Sequence, residues 1–351
     1  MNSLNGSKIL FVVNSFSGGG AENSVMGVTR NLREKGIPVR LCALNRNSPQ
    51  DSPDLPNGLY LLERRWKSGL IATVRNLLMF RHLLVELQPE ILIANCELPE
   101  LYIALVAPSS SVIVVVEHTS QPWRGRRMLG RLVRTILRFR AASWVTVSPT
   151  DNKIWLGSNS PLHIPNPITT PHNWKSNDRS RTEIVFIGRL RAEKRPQWVI
   201  EASILNELKV DLFGDGDQRE MLESEYVNTS NDIQFHGYVT NPWDQISLDS
   251  LVVVPSEYEG DGMVVAEAII RNHPVLLADN YDLRRFNLPD RNYFRDQSEL
   301  ADKLRIWKES KEEAFTIPVE VVNSLDSERD IEKIGERWND FLSQLAKKTK
   351  K

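Results

Sequence analysis

Two glutamates, Glu259 and Glu267, stand eight positions apart around a short glycine-containing loop. The apolar run from 251 to 255 before them reads as a buried strand, and the run from 262 to 271 reads as an apolar helix. Glu259 then falls just past the strand, and Glu267 in the second turn of the helix. A helix that begins near Gly262 leaves the amides of Gly262, Met263 and Val264 without intrahelical acceptors. Such amides, at the positive end of the helix dipole, form a seat for a phosphate. One carboxylate can take a ribose diol and the other a sugar hydroxyl.

Several other segments bring chemistry to strand ends. The first strand runs into Ser17-Gly18-Gly19-Gly20-Ala21-Glu22, where Gly19 and Gly20 let backbone approach a ligand at a helix start. A dinucleotide fingerprint is excluded, because Asn23 stands where its third glycine belongs. Residues 186–194 read Phe-Ile-Gly-Arg-Leu-Arg-Ala-Glu-Lys, so that Gly188 is followed by two separated cations, Arg189 and Lys194. A guanidinium fork plus a mobile ammonium can hold a departing diphosphate without a divalent ion. Glu117 and His118 follow an apolar strand directly and belong at its C-terminal end. Asp215 and Asp217 imitate an Asp-x-Asp metal site. Their setting, a strand followed by Gly214, Asp215 and Gly216, favours backbone contacts over metal binding, with His236, Gly237 and Tyr238 closing the next strand. No metal ligand is assigned.

These segments need a scaffold of strands that end in one place, and the chain supplies the pattern. Strand-like and helix-like runs alternate from end to end, as in parallel α/β domains. Strands are expected at 9–14, 39–44, 91–95, 112–116, 144–148, 184–188, 210–213, 233–236, 251–255 and 275–278. Helices are expected at 21–35, 70–87, 99–106, 196–208, 218–226 and 262–271, with a final one within 327–347. At 351 residues the chain exceeds one hydrophobic core. The proline-rich, aperiodic stretch 161–181 is the expected linker, giving domains at 1–165 and 166–325 and a terminal segment at 326–351.

The net charge of −1 conceals an asymmetry: residues 1–165 hold 19 Lys and Arg against 11 Asp and Glu, while residues 166–351 hold 25 against 34. Much of the basic excess lies in one stretch, where Arg124, Arg126, Arg127, Arg131, Arg134, Arg138 and Arg140 interleave with apolar residues at helical spacing. That is a basic amphipathic helix able to lie against an anionic membrane surface. Nucleic acid is a poorer partner, since no aromatic interleaving or binding motif accompanies the charge. No run approaches 18 apolar residues, and Cys42 and Cys96 read as reduced core thiols. The expected location is the cytoplasm, peripherally at the inner face of its membrane.

Taken together, the glutamate pair, Gly19-Gly20-Ala21-Glu22, Gly188-Arg189-Leu190 with Lys194, the Gly214-Asp215-Gly216 turn, and Pro165-Asn166-Pro167 resemble glycosyltransferase family 4, from residue 15 to about 274. The resemblance implies a GT-B fold of two Rossmann-like parallel-sheet domains facing a cleft, with the C-terminal helix crossing back to the N-terminal domain. It implies sugar transfer from a nucleotide donor, with UDP favoured as carrier, and retention at the anomeric carbon, without metal or other cofactor. The first domain would bind a glycan or lipid-linked acceptor, and the second the nucleotide sugar, in bacterial O-antigen, capsule or lipopolysaccharide assembly. Glu267 would hold the ribose, Glu259 and His118 the sugar, and Arg189 and Lys194 the diphosphate. Gly19, Gly20, Gly188, Gly214, Gly216, His236, Gly237, Tyr238 and the amides of Gly262, Met263 and Val264 would line the donor. Arg124, Arg126, Arg127, Arg131 and Arg134 would face acceptor or membrane. Asp261 departs from the family, which carries an aromatic or apolar residue there. A nucleotide-sugar epimerase of the same architecture, or a non-catalytic binder of sugar nucleotides, would share these contacts.

Overall fold

The computed structural model describes residue 4 and residues 8–16, 19–45, 58–64, 70–149, 161–168, 184–226, 233–310 and 314–349. It divides into two compact units, Met1–Pro167 with Glu328–Lys351, and Ile168–Ser327. The remainder of the expected linker, from 169 to 181, and Ser17 and Gly18 of the first loop lie outside the described residues.

In the first unit β1 (Ile9–Val13), α1 (Gly20–Glu34), β2 (Val39–Asn45), β3 (Leu59–Arg64), α2 (Leu70–Leu87), β4 (Ile91–Asn95), α3 (Glu97–Val106), β5 (Val112–Glu117), α4 (Arg127–Phe139), β6 (Ser143–Thr146) and β7 (Leu162–His163) follow one another. The strands form one parallel sheet in the order β3-β2-β1-β4-β5-β6-β7. Side chains of β1 alternate between two cores: Ile9, Phe11 and Val13 face one way, and Leu10 and Val12 face the other, beside residues of α2, α3 and α4. Both faces are covered, which is why β1, and β4 and β5 up to their last residue, are apolar rather than alternating.

The second unit repeats the plan with β8 (Ile184–Ile187), α5 (Pro196–Leu205), β9 (Val210–Phe213), α6 (Arg219–Tyr226), β10 (Ile233–Gly237), β11 (Leu251–Val254), α7 (Met263–Ile270), β12 (Val275–Ala278), α8 (Tyr281–Arg284), β13 (Tyr293–Phe294) and α9 (Gln297–Glu309). Its parallel sheet has the order β10-β9-β8-β11-β12-β13. The order reverses direction between β8 and β11, and in open α/β sheets the crevice at the carboxyl ends of such a strand pair is where ligands bind. The corresponding reversal in the first unit lies between β1 and β4.

The chain ends in α10 (Val319–Arg329) and α11 (Ile331–Thr349). The latter packs on α1 within the first unit: Trp338 meets Phe11 edge-on with ring centroids 5.6 Å apart, and Asn31 donates to Glu332 at 2.7 Å. Asn166, between its two prolines, is held there as well. Ser24 donates to its side chain at 2.6 Å, and Arg329 donates to its carbonyl at 3.1 Å. The two cysteines form no disulfide; Cys42 is buried as expected, whereas Cys96 is only half-buried, at the start of α3.

Candidate active site

In the second unit, β8 and β11 release their chains into loops that are tied together. Gly188 and the exposed Arg189 follow β8, a single 3-10 turn spans Ala192–Lys194, and Arg195 in left-handed conformation starts α5. The amide of Glu257, past β11, donates to the carbonyl of Glu193 at 2.8 Å. Two residues on, Lys194 Nζ meets Glu259 Oε1 at 2.5 Å, and Ser256 Oγ donates to the same oxygen at 2.7 Å. The pair is partly open to water, with 24% of the Lys194 side chain and 14% of the Glu259 side chain exposed. The helix expected from Gly262 begins one residue later. Gly262 is its N-cap with φ 58°, a conformation that costs glycine nothing and other residues something.

Glu267 lies one turn into α7 and accepts from the indole Nε1 of buried Trp243 at 2.6 Å. Burial raises its pKa, against the pull of Trp243 and Arg271. Trp243 was not foreseen in the sequence; its only signal is an isolated aromatic after a proline, 24 residues from the glutamate it holds.

Beside β8, two glycine-rich turns pack backbone on backbone. A Cβ on Gly214 would come within 1.8 Å of the Gly188 carbonyl oxygen, so no side chain fits where these strands end. Asp215 turns its carboxylate to the amide of Gly216 at 2.7 Å and lies 3.7 Å from Arg219. Among the described residues no group of three or more His, Cys, Asp or Glu is arranged to hold a metal. His236 stacks on Phe213 with centroids 4.3 Å apart and pairs with Asp211 at 2.6 Å, while Tyr238 is exposed.

In the first unit, His118 is half-buried just past β5, its Nε2 3.1 Å from Asn95 Oδ1. Asn95 Nδ2 donates to the Val12 carbonyl at 3.2 Å, which leaves its Oδ1 as acceptor and assigns the Nε2 proton to His118. Both line a small pocket with Ser24, Val116, Asn166 and Trp338. Asn95, at the end of β4, was not foreseen in the sequence. Gly19 caps α1, and its amide donates to Glu22 at 3.2 Å, so the Glu22 carboxylate occupies part of this helix start and Gly20 opens the first turn.

The basic helix requires a correction. Arg124, Arg126, Arg127 and Arg131 are exposed, but Arg134, expected with them on an outward face, is 1% exposed. Its guanidinium donates to Glu100 at 2.9 Å and to Glu117. Two carboxylates share one guanidinium away from water, so the trio carries an excess negative charge when fully ionised. Burial pushes Glu117 up to about 7, with Arg134 opposing and Glu100 reinforcing the shift. Glu100 is raised by burial as well. The inward stripe of α4 is Gly130, Val133, Arg134 and Leu137. Met128 and Phe139, 85% and 88% exposed, lie outward among the arginines.

Comparison with known proteins settles the family. The model described as Glycosyltransferase Family 4 matches residues 18–195, and that described as Glycosyl transferases group 1 matches residues 171–315. The chain belongs to glycosyltransferase family 4. As a family 4 chain it shares its GT-B fold with HepE of Anabaena, solved with UDP and glucose: TM-score 0.77 and 17% identity, over 96% of this chain and 100% of that one. WaaB, a lipopolysaccharide outer core galactosyltransferase, has the same fold, with TM-score 0.67 and 16% identity over 97% and 99% of the two chains. Among curated proteins it resembles the poly(ribitol-phosphate) alpha-N-acetylglucosaminyltransferase of Staphylococcus aureus, 29% identical over 115 residues. That match takes in 31% of this family 4 chain and 23% of the relative's length.

Proposed function

We propose that this glycosyltransferase moves a sugar from a UDP-sugar, with retention of anomeric configuration, to a hydroxyl of a glycan or lipid-linked glycan in bacterial surface-polysaccharide assembly. One observation carries the reading: Arg189, the half-open Lys194–Glu259 pair and the N-terminus of α7 all lie on loops that leave the carboxyl ends of β8 and β11, the two strands at the sheet's reversal point. The α7 amides and the two cations receive the charge that develops on a departing diphosphate, in place of a divalent ion. Glu267, fixed by Trp243, holds the ribose; Glu259 takes a sugar hydroxyl; the acceptor hydroxyl attacks from the face the diphosphate leaves, and its proton passes to the departing diphosphate as the sugar–phosphate bond breaks. His118, tethered by Asn95, orients the sugar. UDP accompanies glucose in the HepE structure, WaaB is named as a lipopolysaccharide outer core galactosyltransferase, and the Staphylococcus aureus relative as a poly(ribitol-phosphate) alpha-N-acetylglucosaminyltransferase.

The exposed arginines of α4, with Met128 and Phe139 between them, dock on anionic lipid. Each basic residue near such a surface contributes about 1 kcal/mol. No helix among the described residues is long and apolar enough to cross a membrane.

A thermal-shift panel of UDP, GDP, UDP-glucose and UDP-N-acetylglucosamine, with and without EDTA, tests the donor. A ligand at a hundredfold excess over Kd stabilises by about 2.7 kcal/mol, enough to read as a shifted melting temperature. UDP compounds should shift it and GDP should not, with EDTA changing nothing. A flat panel overturns the reading. Conversion of the donor sugar in the absence of any acceptor would point to an epimerase instead.

A further inference from the structure

The loop that carries Glu259 is held from one side by a single short segment, residues 280–286, and these contacts have no part in the reading above. Asn280 caps α8, accepting from the Leu283 amide at 3.0 Å, and its Nδ2 donates to the Ser256 carbonyl at 2.8 Å. Asp282 Oδ2 accepts from the Glu259 amide at 3.0 Å. Arg285 Nη1 donates to the Gly260 carbonyl at 2.8 Å, and its Nη2 lies 3.9 Å from Asp261 Oδ1. A Cβ on Gly262 would come to 3.0 Å from the Phe286 ring and 3.3 Å from Arg285 Nη2, so both side chains already lie against the α7 N-cap. Residues 256, 259, 260, 261 and 262 are each engaged, mostly through backbone groups that no sheet ladder reaches.

We infer that Asn280, Asp282 and Arg285 are positioning residues that set the place of the Glu259 carboxylate and of the first α7 amides, and that Asp261 is the counter-charge that keeps Arg285 in register. This accounts for the carboxylate that breaks the family pattern. Asp261 is buried and its Oδ1 lies 3.9 Å from Arg285 Nη2, so a counter-charge from the 280–286 segment stands beside it. A cation held this way also leaves its own charge close to the α7 N-terminus. The assignment rests on the proposal that this loop seats the donor. The brace itself is a statement about the loop's stability and is measured without any ligand.

Amide hydrogen exchange on the full chain decides it. Arg285→Ala and Asp282→Ala should each speed exchange by tenfold or more at the Glu259 amide and at the Ala266 amide, which donates to the Gly262 carbonyl, with β8 and β11 unchanged. Arg285→Lys should recover part of the protection, and Asp282→Asn nearly all of it, because its amide oxygen still accepts. UDP binding, followed by calorimetry, should weaken about tenfold in Arg285→Ala and recover to within about threefold in Arg285→Lys. Wild-type exchange in the loop of both alanine variants overturns the brace, as does acceleration spread evenly over the second unit. Loop acceleration with unchanged UDP affinity overturns the positioning role. A wild-type protein that binds neither UDP nor GDP refutes the proposed function instead, while the exchange data still judge the brace.

Discussion

Each unit places an acid–base contact near the carboxyl end of its parallel strands, and the two are built for opposite purposes. In the first, Arg134 forks between Glu100 and Glu117 in the dry interior, behind the end of β5. In the second, Lys194 meets Glu259 at the rim of the β8–β11 crevice, part in water. A planar guanidinium held between two buried carboxylates cannot turn to a ligand without leaving buried charge behind. An ammonium on a flexible stem with one partner can. Removal of each cation should therefore separate stability from chemistry.

The largest effect belongs to Arg134. Arg134→Met leaves two buried carboxylates facing each other with no cation, and breaking such a cluster costs about 3–5 kcal/mol. Denaturant unfolding at pH 7, followed by a probe in the first unit, should show that loss. A change under about 1 kcal/mol would dissolve the contrast, because Arg134 would then be no more structural than a rim charge.

Lys194→Ala should do the reverse. Partly solvated pairs contribute about 0–1 kcal/mol, so its unfolding midpoint should stay near wild type. Turnover, assayed with whichever donor the thermal panel identifies, should fall about 10²-fold, the scale of removing one preorganised electrostatic contact. A variant with full turnover and a lowered midpoint would make Lys194 a second Arg134.

The same contrast explains what the sequence could and could not reveal. Apolar strand runs such as residues 112–116 announce themselves, because burial on both faces fixes residue type locally. Strands β3, β7 and β13 do not: β3 and β7 end the first sheet, and the two residues of β7 and of β13 carry no period. Glu259 and Glu267 were legible because loop and helix place them by spacing alone. Arg134 was not: at positions 127, 131, 134 and 138 the arginines share one helical stripe, and nothing local marks the one that turns inward. Its partners are 17 and 34 residues away and meet it only through the packing of α3, β5 and α4. Trp243 under Glu267 and Asn95 beside His118 escaped for the same reason, as contacts made by topology rather than by neighbourhood.

The smallest expected effect is in pH dependence, and it sharpens the difference between the two units. Glu117 titrates near 7 when folded and near its ordinary value of 4.5 when unfolded. Between those values the folded state keeps a proton that the unfolded state has released, so stability is greatest at the acid end and declines as pH rises towards 7. In the second unit, burial and then Arg271 lower His273 to about 4 from 6.5. There the unfolded state takes up the proton first, and stability declines as pH falls through that window. The raised carboxyl of Glu267 works in the same sense as Glu117, so the wild-type curve alone is a mixture. Comparison with Glu117→Gln cancels the second unit's contributions. The variant should gain on wild type by on the order of 1 kcal/mol between pH 5 and pH 8, the full linkage being divided with Glu100 because the two carboxyls titrate together. Parallel curves would mean that Arg134 alone compensates Glu117 at every pH, and that the buried cluster is as indifferent to protons as a neutral core.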